Sequence, residues 1–360
     1  MPTIITRGAA SAKAFGFGFI GKKVFSFSTP ALMNGSTVYA PMQSVTVNSS
    51  GKFVSVGYDN NSYPIYATST NGSTWTTPAK MNGSSVVAII ASVTVNSSGL
   101  FVAVGRNSSG YAVYATSSNG STWTTPALMN GSTTYAYMTS VTVNSSGLFV
   151  AVGYDNNVTN YSRYATSTNG STWTTPAAIN GSTGIFNINS VTVNSSGLFV
   201  AVGSDVNAYP IYATSSNGST WTTPALMNGS SVYAVMQSVT VNSSGLFVAV
   251  GYDTNGYPLY ATSSNGSTWT TPALMNGSST VAYMASVTVN SSGLFVAIGS
   301  DVNSYPLYAT STNGTTWTTP ALMNGSSVVA PMASVTVNSS GLFVAVGYDG
   351  NGYPLYSISN

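Results

Sequence analysis

One string, SVTVNSSG, occurs seven times along the chain, beginning at Ser44, Ser92, Ser140, Ser190, Ser238, Ser286 and Ser334. The steps are 48, 48, 50, 48, 48 and 48 residues, and the longer one carries a two-residue insertion between Gly153 and Tyr164. Such regularity overrides length as a guide to domains, because near-copies of one unit must pack against near-copies of themselves. Within a unit, SVTVN alternates apolar and polar residues and meets the turn SSG. LFVAVG then alternates again, YPIYATST follows, and the turn NG leads into STWTTPALM. The pattern predicts four short strands, A to D. Strands A and B form a hairpin across Ser49, Ser50 and Gly51, and C and D form one across Asn71 and Gly72, where Gly and Asn tolerate positive φ.

Four-stranded units recurring at roughly 40 to 50 residues are the signature of propeller blades set around a channel. The two ends of the chain point to a closed ring. The last residues, Tyr353 to Ser359, reproduce strand C, and no STWTTP follows them. Near the other end, Phe27, Ser28, Thr29, Pro30 and Ala31 align with Trp75, Thr76, Thr77, Pro78 and Ala79. One blade is therefore expected to combine both ends, which removes the open sheet edges that an uncapped array would expose. The fold class is all-β: a seven-bladed β-propeller of four-stranded antiparallel blades over residues 22–360, preceded by an arm or linker over 1–21.

Residue chemistry excludes several classes of function. There is no Cys and no His, so disulfides, thiolate nucleophiles, imidazole bases and the usual zinc ligands are absent. Eight Lys and Arg against six acids, all Asp, leave a net charge of +2, too little for a nucleic-acid binder. No apolar run is long enough to span a membrane, and Lys13 interrupts the apolar part of the first residues, so no signal peptide is expected. Asn-X-Ser/Thr sequons recur in every unit, which suits a bacterial or phage product better than a glycosylated secreted one.

Two sets of aromatics repeat. Trp75, Trp123, Trp173, Trp221, Trp269 and Trp317, with Phe27 in the seventh place, read as core, with sugar stacking the other reading. Tyr63, Tyr111, Tyr161, Tyr209, Tyr257, Tyr305 and Tyr353 recur in all seven units and read as packing residues. The Met or Ile at 42, 90, 138, 188, 236, 284 and 332 is expected to precede strand A and close the channel mouth.

At FVAVG followed by STNGSTW the chain resembles the sialidase-like propellers that carry Asp-box (BNR-type) repeats. Ser69, Asn71, Gly72, Thr74 and Trp75 occupy a version of that box with Asn for Asp and one residue fewer. The resemblance implies the propeller architecture, with the box as a folding element. It does not bring the family's catalysis, which uses an arginine cluster, a Tyr backed by Glu, and an Asp. This chain has only Arg7, Arg106 and Arg163, and no Glu. Each Asp stands at the same place in its own unit, which argues against the differentiated carboxyl pair that glycosidases need. A second resemblance, of TIITRGAASAKAFGFGF to the Gly- and Ala-rich starts of phage virion proteins, implies that residues 1–21 are an attachment arm or linker, with a route to oligomerisation, and the ring a display module; the other reading is a frayed terminus.

Differences among the units concentrate in the D-to-A connections, such as Ser36 to Pro41, Ser132 to Tyr137 and Ser182 to Asn187, and in the B-to-C connections. Both emerge on one face of a four-stranded meander, and loops on a rigid scaffold are where recognition resides. That face is expected to present Tyr58, Asp59, Asn60, Asn107, Tyr154, Asp155, Asp205, Tyr252, Asp253, Asp301, Tyr348 and Asp349. Tyr beside Asp and Asn suits a glycan, through C–H contacts to the ring and hydrogen bonds to hydroxyls. The other reading of the Asp and Asn residues is Asx turns that merely close the loops. One carboxylate per blade falls short of a calcium site, so no metal and no cofactor is expected.

The expectation is thus a non-enzymatic recognition or display module of a phage tail, fibre or capsid decoration, binding surface glycans by avidity. Its alternative is a purely structural virion decoration protein with no glycan ligand. Both put the chain on the surface of a virion or extracellular particle, with a cell-surface glycan or other virion proteins as partners.

Overall fold

A computed structural model describes residues 25–83, 85–155, 161–181 and 186–360. The arm expected over 1–21 lies outside the described residues, as do 156–160 of the insertion and 182–185 of the connection into the fourth blade.

Among the described residues the strands form seven four-stranded antiparallel sheets, each ordered A-B-C-D. In the first blade these are Met42–Val47, Phe53–Tyr58, Pro64–Ser69 and Ala79–Lys80. The seventh joins Met332–Val337, Phe343–Tyr348 and Pro354–Ile358 to Ala31–Leu32 from the other end of the chain. Ala31 pairs with Tyr356 as Ala79 pairs with Tyr66. Beyond the ladder, the Ser28 N–H donates to the Ile358 carbonyl at 2.8 Å and the Asn360 N–H to that of Ser26 at 3.1 Å.

Strand D is shorter than its sequence suggests. STWTTPALM alternates like a strand, yet only two residues, Ala79 and Lys80, form the ladder with strand C. Nearer the turn, the Thr76 hydroxyl takes the Thr68 N–H that a ladder would use, and Pro78 has no N–H to offer.

Strand B lies between two strands and between two blades, which explains its fully buried FVAVG. Val54 and Val56 point into a cluster with Phe101, Ala103 and Trp123 of the next blade. Phe53 points the other way, against Val344 and Val346 of the seventh. The period of two therefore serves both neighbours. Each Trp is about 3% exposed and Phe27 is 1% exposed, so these aromatics are core and not sugar platforms. The Trp75 Nε1–H is satisfied by the Gly72 carbonyl at 2.8 Å.

The Met and Ile residues differ from expectation. Met42, Ile90, Met138, Ile188, Met236, Met284 and Met332 are the last paired strand-A residues before a register shift, and they are buried in the clusters between blades. A bulge follows each, so the next residue is left without a ladder partner: Gln43, Ala91, Thr139, Asn189, Gln237, Ala285 or Ala333. A close approach of strand A just ahead of the bulge explains an invariant glycine in strand B. A Cβ on Gly57 would lie 2.1 Å from the Pro41 oxygen, and one on Gly251 would lie 1.9 Å from that of Val235.

Two circles of side-chain hydrogen bonds join the blades. Near the axis, the strand-A amide of Val45 donates to the Ser334 hydroxyl, that of Val93 to Ser44, and so on through Val335 to Ser286. Each inner edge, otherwise an open row of N–H groups, is capped by its neighbour. At the rim, Asn34 donates to Thr77 and Asn82 to Thr125, and the series ends with Asn324 donating to Thr29. Both circles run through all seven blades.

Candidate functional site

The two faces of the disc differ because their loops spend their polar groups differently. On one face the A-to-B and C-to-D turns are closed on themselves. Asn48 Oδ1 accepts the Lys52 N–H at 2.9 Å, and Asn71 Oδ1 accepts those of Ser73 and Thr74. The same arrangement repeats from blade to blade. The other face carries the B-to-C loops and the D-to-A crossovers, and all six Asp residues lie on it. Every large apolar side chain left exposed among the described residues lies there too, from Tyr39, Tyr135 and Tyr233 to Val206 and Val302, the last 68% exposed.

Crossover and loop are clipped together. The Ala40 N–H donates to the Gly352 carbonyl, Ala88 to Ser62, Ala136 to Gly110, Ala234 to Ala208, Ala282 to Gly256 and Ala330 to Ser304. The accepting residue has positive φ whether it is glycine or, at 62, 208 and 304, Ser or Ala. Within each loop the Asp side chain acts as an Asx cap. Asp59 Oδ1 accepts the N–H groups of Asn61 and Tyr63 at 2.9 and 2.8 Å. Asp205, Asp253, Asp301 and Asp349 do the same, and Asn107 replaces Asp in the second blade with the same two bonds. Asp155 accepts from Tyr161 and is only 1% exposed, its Oδ2 receiving Arg163 Nη2 at 2.7 Å. Asp59 Oδ2 faces Lys80 at 3.6 Å. Asn60 stands exposed at its loop tip.

The structure thus brings these side chains to one face but keeps at most one carboxylate per loop, and none in the second. Tyr58, Tyr154, Tyr252 and Tyr348 end their strands B half-buried, on the rim of the channel. Burial pushes the hydroxyls of Tyr58, Tyr154 and Tyr252 above their ordinary range, with neighbouring tyrosines adding to the effect for Tyr58 and Tyr252. At neutral pH they are uncharged donors and acceptors. The repeated Tyr63 set is half-buried beside them, with Lys80 Nζ lying 4.0 Å from the Tyr63 ring centre.

Several cavities open on this face, two of them close to the candidate tyrosines. One, of about 390 Å³, runs between the loops at the junction of the seventh and first blades, where Tyr39, Tyr58, Tyr348, Asp349 and Asn351 contribute. The other, of about 270 Å³, lies at the channel mouth and is lined by Gln43 and Gln237 from distant blades, with Tyr252, Tyr283 and Tyr348. The bulge residues were not among the candidates that sequence reasoning selected, nor were Tyr39 and Tyr283. The change at one position from Gln to Ala, Thr or Asn between otherwise constant neighbours was the available signal. Among the described residues no group of three or more acidic side chains is arranged to hold a metal ion. No helix among them is long and apolar enough to cross a membrane.

No family model matches the chain, and no curated protein does. Solved structures do. The BP39L lectin from Burkholderia pseudomallei superposes with a TM-score of 0.70 at 12% identity, over 89% of this chain and 96% of the lectin. YCF48 bound to D1 peptide gives 0.63 at 13% identity, over 92% and 96%. A polysaccharide lyase of family PL25, an ulvan lyase, gives 0.59 at 9% identity, over 89% and 94%. At such identities the likeness is one of fold, and that fold serves a lectin, a peptide-bound protein and a lyase alike.

Proposed function

We propose that this propeller is a non-enzymatic recognition module that binds glycans through the loop face, in shallow crevices repeated around the ring. The observation that carries the reading is the segregation of the two faces. One face satisfies its own polar groups in uniform turns, and the other gathers the tyrosines, exposed amides and sequence variation. Half-buried neutral tyrosines beside Asn and Gln amides supply C–H contacts and hydroxyl partners for sugars. Weak sites on a rigid ring gain by effective concentration. The lectin relative is consistent with this use of the fold. Catalysis has little to draw on: the chain lacks His, Cys and Glu, and each Asp uses an oxygen in its own loop.

The chain enters the ring on the opposite face, where Phe25 packs edge-on against Phe27 and Phe343. Attachment through residues 1–21, to a virion or another particle, would therefore leave the loop face pointing outward. A second reading, a decoration protein docked by its loop face to other virion proteins, is favoured by the exposed valines Val38, Val206, Val232, Val302 and Val328. Aliphatic side chains suit protein surfaces better than sugars.

A glycan array probed with the full chain at high density tests the proposal, alongside an assay for depolymerisation of any polysaccharide that binds. Binding without cleavage is the expected result. No binding to any glycan would sink it, and cleavage abolished by one Asp substitution would make the protein an enzyme.

A further inference from the structure

One of the seven B-to-C loops inverts the charge of the others. In six blades the residue that follows the strand-B glycine is Tyr58, Tyr154, Ser204, Tyr252, Ser300 or Tyr348, and the next is always Asp. The second blade reads Arg106-Asn107. A loop that elsewhere carries a negative charge here carries a positive one. Asn107 keeps both Asx bonds, at 3.0 and 2.9 Å, so the exchange preserves the turn while removing the carboxylate beside the guanidinium.

Arg106 is also the one cation among the described residues that lacks an acceptor. Lys80 faces Asp59, Arg163 pairs with Asp155, and Lys52 Nζ donates to the Asn119 carbonyl and the Ser121 hydroxyl. Arg106 instead lays its guanidinium over the Tyr137 ring, with Cζ 4.8 Å from the centroid, and its Nε is out of solvent without a partner. Stacking of this kind engages the π-face and leaves the in-plane N–H donors free. Tyr137 and Tyr154, packed edge to face at 5.8 Å, stand against it. Burial raises the pKa of both hydroxyls, against the opposing pull of the Arg106 charge, so they remain neutral. A crevice of about 160 Å³, to which Arg106 contributes, is otherwise lined by Ser62, Val87, Ile89, Asn107 and Ser108, with no carboxylate among them.

We infer that Arg106 makes this sector of the face a subsite for the anionic group, carboxylate or sulfate, of an acidic polysaccharide. The planar fork of a guanidinium matches two oxygens of either group. This rests on the glycan-binding reading above and names its substrate class. The hydroxyls of a neutral sugar can accept from the guanidinium but leave its charge without a counter-charge.

Calorimetric titration of the full chain with polygalacturonate, dextran sulfate and neutral dextran, for wild type, Arg106→Tyr and Arg106→Gln, tests it. Tyr occupies this place in four other blades, and Gln keeps much of the stem, so at least one variant should fold. The wild type is expected to bind one anionic polymer about tenfold or more tightly than dextran at low salt, and both variants to lose that margin. Preference for polygalacturonate identifies a carboxylate subsite, and preference for dextran sulfate a sulfate one. Equal affinity of wild type and folded variants for the anionic polymers overturns the inference. If dextran binds and neither anionic polymer binds better, the inference falls and the glycan reading stands. If no polymer binds but inorganic sulfate raises the melting temperature of the wild type and not of the variants, the glycan reading falls and the anion site stands.

Discussion

Single residues in this ring divide into those that permit the backbone and those that decorate it. Gly251 belongs to the first kind, because its missing Cβ leaves room for the strand-A carbonyl of Val235. Gly251→Ala should therefore cost about 3 to 5 kcal/mol, among the larger single-site losses, read as a fall in the denaturation midpoint. Asp253 tests the second kind. Its Oδ1 holds two loop amides, and Asn107 does the same work in another blade. Asp253→Asn should leave stability within about 0.5 kcal/mol of wild type, whereas Asp253→Ala should lose about 1 to 2 kcal/mol with the two bonds. A drop in glycan affinity for the Asn variant at unchanged stability would assign the carboxylate to the ligand. The sequence already showed that Asp and Asn exchange at this place. It could not show which oxygen was engaged, because that depends on the path of the loop.

Among elements, the short strand D and the bulged strand A are where alternation misleads. STWTTPALM has the rhythm of a full strand, but a hydroxyl and a proline interrupt the ladder. The residue after Met42 reads as one more strand position, yet the bulge leaves Gln43 unpaired at the channel mouth. Pairing between the ends of the chain was legible, since Phe27 to Ala31 carries the unit's missing piece. Residues 26 and 360 lie side by side, with the Asn360 N–H 3.1 Å from the Ser26 carbonyl. A circular permutant that joins residue 360 to residue 25 by a short linker and opens the chain at Val206-Asn207, an exposed loop tip, should fold to the same cooperative unit. Deleting residues 25–32 instead should unmask an edge and the Phe27 site, giving aggregation in place of a sharp transition.

The whole molecule is held by neighbour contacts that close on themselves, so its response to pH reports on the ring as one body. Burial raises the pKa values of Tyr58, Tyr137, Tyr154, Tyr252 and Tyr308. The folded state thus holds these protons more firmly than the unfolded chain, whose tyrosines titrate near 10. Their contribution is fully present below about pH 10 and is lost as pH rises through the higher folded values. Melting temperatures are expected to hold from neutral pH to about 9 and to fall steeply above 10. A decline centred near pH 6 to 7 would contradict this, since the chain has no histidine.

By itself the sequence determined the unit, the count of seven, the closure of the ring and which face would vary, because repetition makes every blade evidence for the others. Only the tertiary structure decided what each varied residue does. Asp59 caps its own loop through neighbouring amides, but whether Met42 faces the channel or a neighbouring blade and whether Arg106 finds an acceptor depend on side chains brought together from different blades. A repeat pattern describes one unit and its copies, whereas such contacts form between copies, at distances that spacing along the chain does not encode.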